Sequence, residues 1–314
     1  MIGGAPLESE YLSGLPTETV DLHPVIASAR ERIAAAAAAL LEIDDAALER
    51  TWPWRGEALD VRYGFYHAYE RLEVASGAVM GALTAAGTAH TPGARRAAPA
   101  TAARWDLHAR LLPLDDAELD RDPGGGEWTL RQTLAHIING QRAYGHFTAW
   151  WLLQRGTDPF PEVIPDAVGD DFPDESTEGH GSLPVIRSRL DDLLDLETAR
   201  MAAFDDHDLA ARARWSGAWV DVGFRMGRWS SHLREHTIQV DKTLVMIGWT
   251  PREVDRLSGV ILGAWGRLEA TVFGLPAAAL DRHGADGRTP AAIIDEVSAG
   301  VAEQVPSVLA SARD

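Results

Sequence analysis

The chain has 314 residues, is 46% hydrophobic and 24% charged, contains no cysteine, and carries a formal net charge of −18 at pH 7. The lack of cysteine excludes disulfides, iron–sulfur clusters, cysteine-ligated zinc and a cysteine nucleophile. So acidic a chain is not expected to bind nucleic acid, because phosphate contacts need a basic surface.

The beginning of the sequence has no basic segment followed by an apolar one, and no apolar run reaches the length of a membrane span. We therefore expect a cytoplasmic protein with no membrane partner. The length admits either two domains or one enlarged domain.

Segments rich in alanine, leucine, arginine and glutamate with helical spacing dominate the chain, and strand signals are scarce. The pattern predicts an all-α protein. Thr129 is a plausible N-cap of the fourth helix. The predicted helices lie near 20–42, 57–86, 97–112, 129–154, 182–204, 221–247, 251–273 and 288–311.

An acidic helix–turn pattern recurs along the chain. Leu40–Arg50 resembles Leu111–Arg121, and Leu275–Arg282 is a fainter echo. The similarity suggests helical hairpins descended from one ancestor. The alternative is that this pattern is simply a common helix–turn sequence.

The repeat, if real, extends into the helices that follow the turns. Asp60–His67 parallels Thr129–His136, so His67 would be the counterpart of His136. The longest predicted loop, 155–181, is acidic and rich in proline and glycine. Loops of this length in compact domains are usually lids or long crossovers.

Three histidines on two predicted helices carry the strongest chemical signal. His232 and His236 are separated by four residues, which places them on one face of helix 221–247. His136, from another helix, would complete three nitrogen ligands and leave a metal with an open position. The alternative is three neutral histidines satisfied by carbonyl groups or water.

The helical positions of these histidines are compatible with a pocket. At 100° per residue, His136 lies in or at the edge of an apolar arc, beside Gly140, which leaves room above it. Arg142 and His146 lie on the opposite side of that helix.

On helix 221–247, His232 and His236 flank the apolar arc, and Arg225 lies on the same edge. Trp229 lies within the arc and is expected in the core. All three histidines are therefore expected where the core meets a polar opening.

These motifs resemble a known family. Gly126–His136 resembles the second-helix motif of the DinB-like superfamily, and His232–His236 resembles its last-helix motif. The order of helices also matches over about 97–248. The superfamily includes mycothiol-dependent maleylpyruvate isomerases, bacillithiol transferases and the N-terminal domain of ergothioneine-synthesising sulfoxide synthases.

The resemblance implies a four-helix bundle over 96–250 that holds a divalent metal on His136, His232 and His236. Some relatives have a carboxylate at one ligand position. Zinc, nickel and iron(II) all accept three histidines, so the identity of the metal is open.

The segments on either side, 1–95 and 251–314, depart from the single-bundle pattern. We expect an N-terminal and a C-terminal helical hairpin, which could pack together as a second, degenerate bundle. The C-terminal segment has no pair of histidines four residues apart, so this second bundle is predicted to bind no metal.

The resemblance favours a metal-dependent transferase or isomerase that acts on a small-molecule substrate with a low-molecular-weight thiol as co-substrate. Arg225 is the candidate contact for a carboxylate of the substrate; otherwise it is an exposed arginine in an ion pair. The alternatives are a metal-dependent hydrolase and a non-catalytic or vestigial bundle with a structural or interaction role. A homodimer is left open.

Overall fold

The computed structural model describes residues 22–313 and has the expected all-α class. Its long helices begin and end within five residues of the predicted ones, and positions 20 and 21 of the first prediction lie outside the described residues. None of the described helices is both long and apolar enough to cross a membrane. The long helices are α1 (Pro24–Leu40), α2 (Val61–Ala85), α3 (Pro92–Leu111), α5 (Leu130–Leu153), α7 (Leu183–Ala202), α9 (Val222–Met246), α10 (Glu253–Ala270) and α11 (Pro290–Arg313), and one-turn helices α4 (Asp116–Leu119), α6 (Glu175–Glu178) and α8 (Asp206–Leu209) lie in the connections.

Side-chain caps explain where several helices begin. The Thr129 hydroxyl accepts from the Gln132 backbone N–H at 3.2 Å, and the Gln132 side chain accepts from the Thr129 N–H at 2.9 Å. This capping box satisfies two donors that the first turn of α5 leaves free. Asp60 and Asp221 cap α2 and α9 in the same position. The prediction of Thr129 as an N-cap is confirmed.

The structure contains two β-hairpins that the sequence pattern does not predict. The first of them occupies the predicted start of helix 57–86, so that start is wrong. Each is closed by two residues of positive φ, Arg55 and Gly56 in one and Ser216 and Gly217 in the other. Consecutive positive φ angles are typical of the tight turns that join twisted antiparallel strands. The strands are β1 (Thr51–Trp54), β2 (Glu57–Asp60), β3 (Arg212–Trp215) and β4 (Ala218–Asp221).

Helices α3, α5, α7 and α9 form one bundle around its own hydrophobic core. Apolar side chains from all four helices meet there, including Leu107, Leu134, Leu190, Trp229 and Leu233, each at most 2% exposed. The wide apolar arcs of α5 and α9 explain why these two helices face each other.

Helices α1, α2, α10 and α11 form a second bundle from the two ends of the described chain. Ile33, Leu72, Ile261, Ile294 and Val301 are completely buried in its core. In this bundle α1 and α2 pack against α10 and α11.

The two bundles have the same parts in a different chain order. In the first, α7 leads through α8 and the β3–β4 hairpin into α9. In the second, α1 leads through a 3₁₀ turn (Asp45–Ala47) and the β1–β2 hairpin into α2. The strand registers agree, because Thr51 pairs with Asp60 as Arg212 pairs with Asp221. In the second bundle, α1 and α2 thus correspond to α7 and α9, the third and fourth helices of the first bundle. Helices α10 and α11 correspond to α3 and α5, its first and second helices.

This correspondence corrects the predicted repeat. His67 follows Asp60 by seven residues, and Arg228 follows Asp221 by seven, so His67 is the counterpart of Arg228. The predicted equivalence of His67 with His136 is wrong, because a hairpin intervenes that helical periodicity does not reveal. The counterpart of α5 is instead α11, which follows the fainter repeat Leu275–Arg282. Helix α11 begins directly after Thr289, as α5 begins directly after Thr129.

The bundles meet along α3 and α10. Trp105 and Trp265 pack edge to face with ring centroids 6.3 Å apart. The buried Glu269 accepts from Arg104 Nη2 at 2.8 Å, from Trp105 Nε1 at 2.7 Å and from Arg30 Nη2 at 2.5 Å. Burial alone would raise the pKa of Glu269, but Arg30 and Arg104 hold it below its usual value. The interface is therefore built around a paired, buried charge.

Candidate metal centre

His136 on α5 and His232 and His236 on α9 come together between the two helices. One ring nitrogen of each histidine lies within 4.8 Å of the other two. The ring centroids of His232 and His236 are 4.3 Å apart, and those of His136 and His236 are 4.7 Å apart. The three side chains thus form a cluster of the size that a single metal ion can bridge.

The cluster has one buried side and one open side. The His232 side chain is 4% exposed, whereas His136 and His236 are partly exposed. This is the position that the helical patterns predict, at the margin between an apolar core and an opening. It provides dry walls and an accessible face.

Two of the three imidazoles, those of His232 and His236, have lowered pKa values, which favour their neutral form. Burial, reinforced by the neighbouring His236 and His136, lowers the pKa of His232 to about 3. Burial also lowers the pKa of His236. A neutral imidazole keeps a nitrogen lone pair free, and that lone pair is what binds a metal.

Two of the histidines are oriented through Nδ1. The Nδ1 atom of His136 lies 3.3 Å from both carboxylate oxygens of Glu175, which also accepts from Asn139 Nδ2 at 2.9 Å. The Nδ1 atom of His236 lies 2.7 Å from Oε1 of Gln239. With acceptors at Nδ1, both rings carry their proton there and leave Nε2 free as a ligand atom.

The third histidine has a buried amide beside it. Gln141 Nε2 lies 3.2 Å from Nδ1 of His232 and 3.4 Å from the Trp229 carbonyl, while the buried Gln141 Oε1 has no partner. Turning the amide over would give up the donation to the Trp229 carbonyl, but it would bring Oε1 to Nδ1–H and free Nε2 of His232. The orphaned oxygen therefore fits a state in which all three histidines present Nε2 to one metal ion.

A cavity of about 500 Å³ opens beside the histidines. Part of its wall is aromatic, and Tyr144 and Trp215 stack with ring centroids 5.2 Å apart. Phe147 and Trp151 from α5 continue the wall. The cavity is large enough for a small organic molecule.

Arg225 lies at this cavity and is 4% exposed. It donates from Nε to the Thr148 hydroxyl at 3.2 Å and from Nη1 to the Arg214 carbonyl at 2.7 Å. Within residues 22–313, no carboxylate forms an ion pair with it. Burial lowers the pKa of Arg225 to about 10, so the guanidinium remains charged at neutral pH.

The alternative of an exposed, ion-paired arginine is therefore wrong for Arg225. This burial is not visible in the sequence pattern, because β3, which supplies the Arg214 carbonyl, is too short to be predicted. Trp229 is 1% exposed, as expected for a core residue.

The connection between α5 and α7 packs along α5. Ile164 from this segment lines the cavity, and Glu175 reaches His136. The buried Glu178 accepts from Arg142 Nε at 2.9 Å. The predicted loop 155–181 thus serves as a crossover that closes one side of the site.

The crossover also corrects the environment predicted for His146. This residue was placed on the side of α5 away from the core, yet it is 3% exposed and its ring packs 5.0 Å from that of Phe172. The crossover covers this face, and the pattern of one helix does not show which loop packs on it.

Residues 100–240 match a protein-family model described as the DinB superfamily. The match runs from α3 into α9 and includes all three histidines. No curated protein and no solved structure matches the chain.

Proposed function

Because residues 100–240 place this chain in the DinB superfamily, we propose that it is a divalent-metal-dependent enzyme that transfers a small thiol to, or isomerises, a small carboxylate substrate. The observation that carries this proposal is the convergence of three histidines beside a cavity that contains a buried arginine without an anionic partner. A purely structural bundle needs neither the opening nor the unpaired guanidinium.

His136, His232 and His236 would hold the metal through nitrogen atoms. Three neutral ligands leave the charge of a divalent cation undiminished, and zinc, nickel and iron(II) all suit such a set. When bound, the metal would supply positive charge that lowers the pKa of a thiol or a water molecule beside it.

The chain's own side chains supply binding and orientation. Arg225 has two of its donor groups held by Thr148 and Arg214, so its guanidinium is fixed at the cavity wall. A substrate carboxylate would pair with its remaining donors. Tyr144 and Trp215 form a flat apolar wall against which the substrate body would lie.

A co-substrate has to bring the thiol, because the chain contains no cysteine. The transfer would form a bond between the thiol sulfur and an electrophilic carbon of the substrate. The S–H bond would break and its proton would leave to solvent, and the bond from that carbon to its leaving group would break, with the leaving group taking the electron pair. Hydrolysis would use the same cavity with water in place of the thiol. Because both reactions would use the same cavity, an experiment is needed to distinguish thiol transfer from hydrolysis.

Metal content is the first test. Elemental analysis of the purified protein, beside a His232→Ala/His236→Ala variant, should find about one equivalent of a transition metal in the former and none in the latter. If neither the wild-type protein nor the variant retains metal after incubation with zinc, nickel or iron(II), the proposal is wrong. The protein would then be interpreted as a non-catalytic bundle.

The second test uses the cobalt-substituted protein. Addition of N-acetylcysteine should change its visible spectrum, and the protein should accelerate S-arylation of this thiol by 1-chloro-2,4-dinitrobenzene, with release of chloride. Turnover of 4-nitrophenyl acetate without a spectral response to the thiol would favour the hydrolase instead.

A further inference from the structure

The second bundle has a cavity of about 380 Å³ between its hairpin, α2 and α11. This is the place that corresponds to the metal centre of the first bundle. Arg71 follows Asp60 by eleven residues, as His232 follows Asp221. Arg71 therefore stands where the first bundle has its buried histidine.

The other two ligand positions are changed as well. Glu296 follows Thr289 by seven residues, as His136 follows Thr129, and Ala75 matches His236. A set of glutamate, arginine and alanine cannot replace three imidazoles, because the guanidinium repels a cation at the centre of the site.

The close packing around the site has nevertheless been retained. Gly300 corresponds to Gly140, and a β-carbon at either glycine would collide with the side chain from the facing helix, Arg71 or His232. The close approach of the two helices is thus retained, while a cationic guanidinium takes the place of a neutral imidazole.

The Arg71 guanidinium has little to neutralise it. It donates from Nη1 to the Gly300 carbonyl at 3.1 Å, and no carboxylate in the described part of the chain forms an ion pair with it. Glu296 is engaged by Arg288, and Glu70 is exposed to solvent. A partly buried arginine in a cavity, without its own counter-ion, is suited to a small anion.

Besides the charged residues Arg55, Glu70, Arg288 and Glu296, the cavity is lined by aromatic and apolar side chains. The ring of Trp54 lies 4.7 Å from that of His67 and 6.1 Å from that of Tyr63. Ile293 and Val297 lie on the α11 side. These groups match a flat apolar body rather than a fully hydrated anion such as phosphate.

We propose that the second bundle binds a small aromatic carboxylate without a metal, with the carboxylate on Arg71 and the ring against Trp54. Bidentate pairing with the guanidinium would fix the carboxylate. This site is separate from the metal centre, so the proposal does not depend on the proposed function.

Isothermal titration of the chelator-treated protein with benzoate tests the proposal. Benzoate should bind, whereas benzyl alcohol, of the same shape but without charge, should bind at least tenfold more weakly. Arg71→Gln should weaken benzoate binding at least tenfold. Arg71→Lys, which keeps the charge, should retain part of the affinity. Ala78→Trp should block binding by filling the cavity.

The matched control is Arg96→Gln, which changes an exposed arginine on α3 and should leave benzoate binding unchanged. Thermal unfolding of each variant checks that the fold is intact. The proposal is overturned if wild type fails to bind millimolar benzoate, if Arg71→Gln and Ala78→Trp both bind it as wild type does, or if phosphate binds more tightly.

Discussion

The imidazole of His232 lies against the bare backbone of Gly140. A β-carbon at position 140 would lie 2.9 Å from Nε2 of His232, closer than atoms of this kind approach in proteins. Gly300 and Arg71 have the same relationship in the second bundle. The absence of a side chain on one helix therefore creates the space that the functional side chain of the facing helix occupies.

Gly140→Ala should displace His232 and weaken metal binding at least tenfold. Alanine favours a helix over glycine by about 1 kcal/mol, so any loss of affinity would come from the collision and not from a weaker helix. Competition with a chromophoric zinc chelator measures the affinity. Gly227→Ala is the matched control, since Gly227 lies on α9 with open space where its β-carbon would be. Equal affinities in the two variants would contradict this placement of His232.

His136→Ala and His232→Ala should each lose the metal while far-ultraviolet circular dichroism shows unchanged helical content. Both helices are held by large apolar cores, so removing one imidazole at the margin removes a ligand without removing the fold. His67→Ala, in the second bundle, should keep its full metal content. Retention of metal by either of the first two variants, or its loss from the third, would mean that the site lies elsewhere.

Glu269→Gln should lower the free energy of unfolding by about 3–5 kcal/mol, because it leaves Arg30 and Arg104 buried with too little negative charge. Urea denaturation measures the difference. Glu73→Gln removes a partly exposed ion pair with Arg267 and should cost no more than about 1 kcal/mol. Similar losses in both variants would show that the buried network contributes no more than a surface pair.

His146 should make the protein less stable in acid. Burial, reinforced by Arg200, lowers its pKa from 6.5 to about 4. Between these values the unfolded chain binds a proton that the folded chain does not, so stability falls as the pH is lowered. The contribution lost between pH 7 and pH 5 is about 2 kcal/mol.

Urea unfolding of wild type and His146→Gln at pH 7 and pH 5 checks this prediction. The comparison with the variant is needed because two other groups also contribute to the pH dependence in this interval. The lowered pKa of His232 also reduces stability in acid. Burial raises the pKa of Glu197 to about 7, so that its protonation increases stability as the pH falls. The variant should lose less stability than wild type over this interval. Parallel losses would show that His146 titrates normally in the folded protein.

The helices could be predicted from local periodicity, whereas the grouping of His136 with His232 and His236 was implied by the resemblance of their motifs to the DinB-like superfamily. A helix of three or more turns repeats its apolar face several times, so its position is visible in the sequence. The separation of His232 and His236 defines their common face without any knowledge of their neighbours. The four-residue strands are too short to show such a repeat, and each of the two hairpins was missed.

The sequence by itself determined the all-α class, the long helices and the common face of His232 and His236. Only the tertiary structure decided which segments pack on them. It paired α1 and α2 with α10 and α11, buried His146 under the crossover and Arg225 behind β3, and placed Arg71 at the position of His232. Periodicity states which face of a helix is buried, but the partner that buries it is chosen by contacts between residues far apart in the chain.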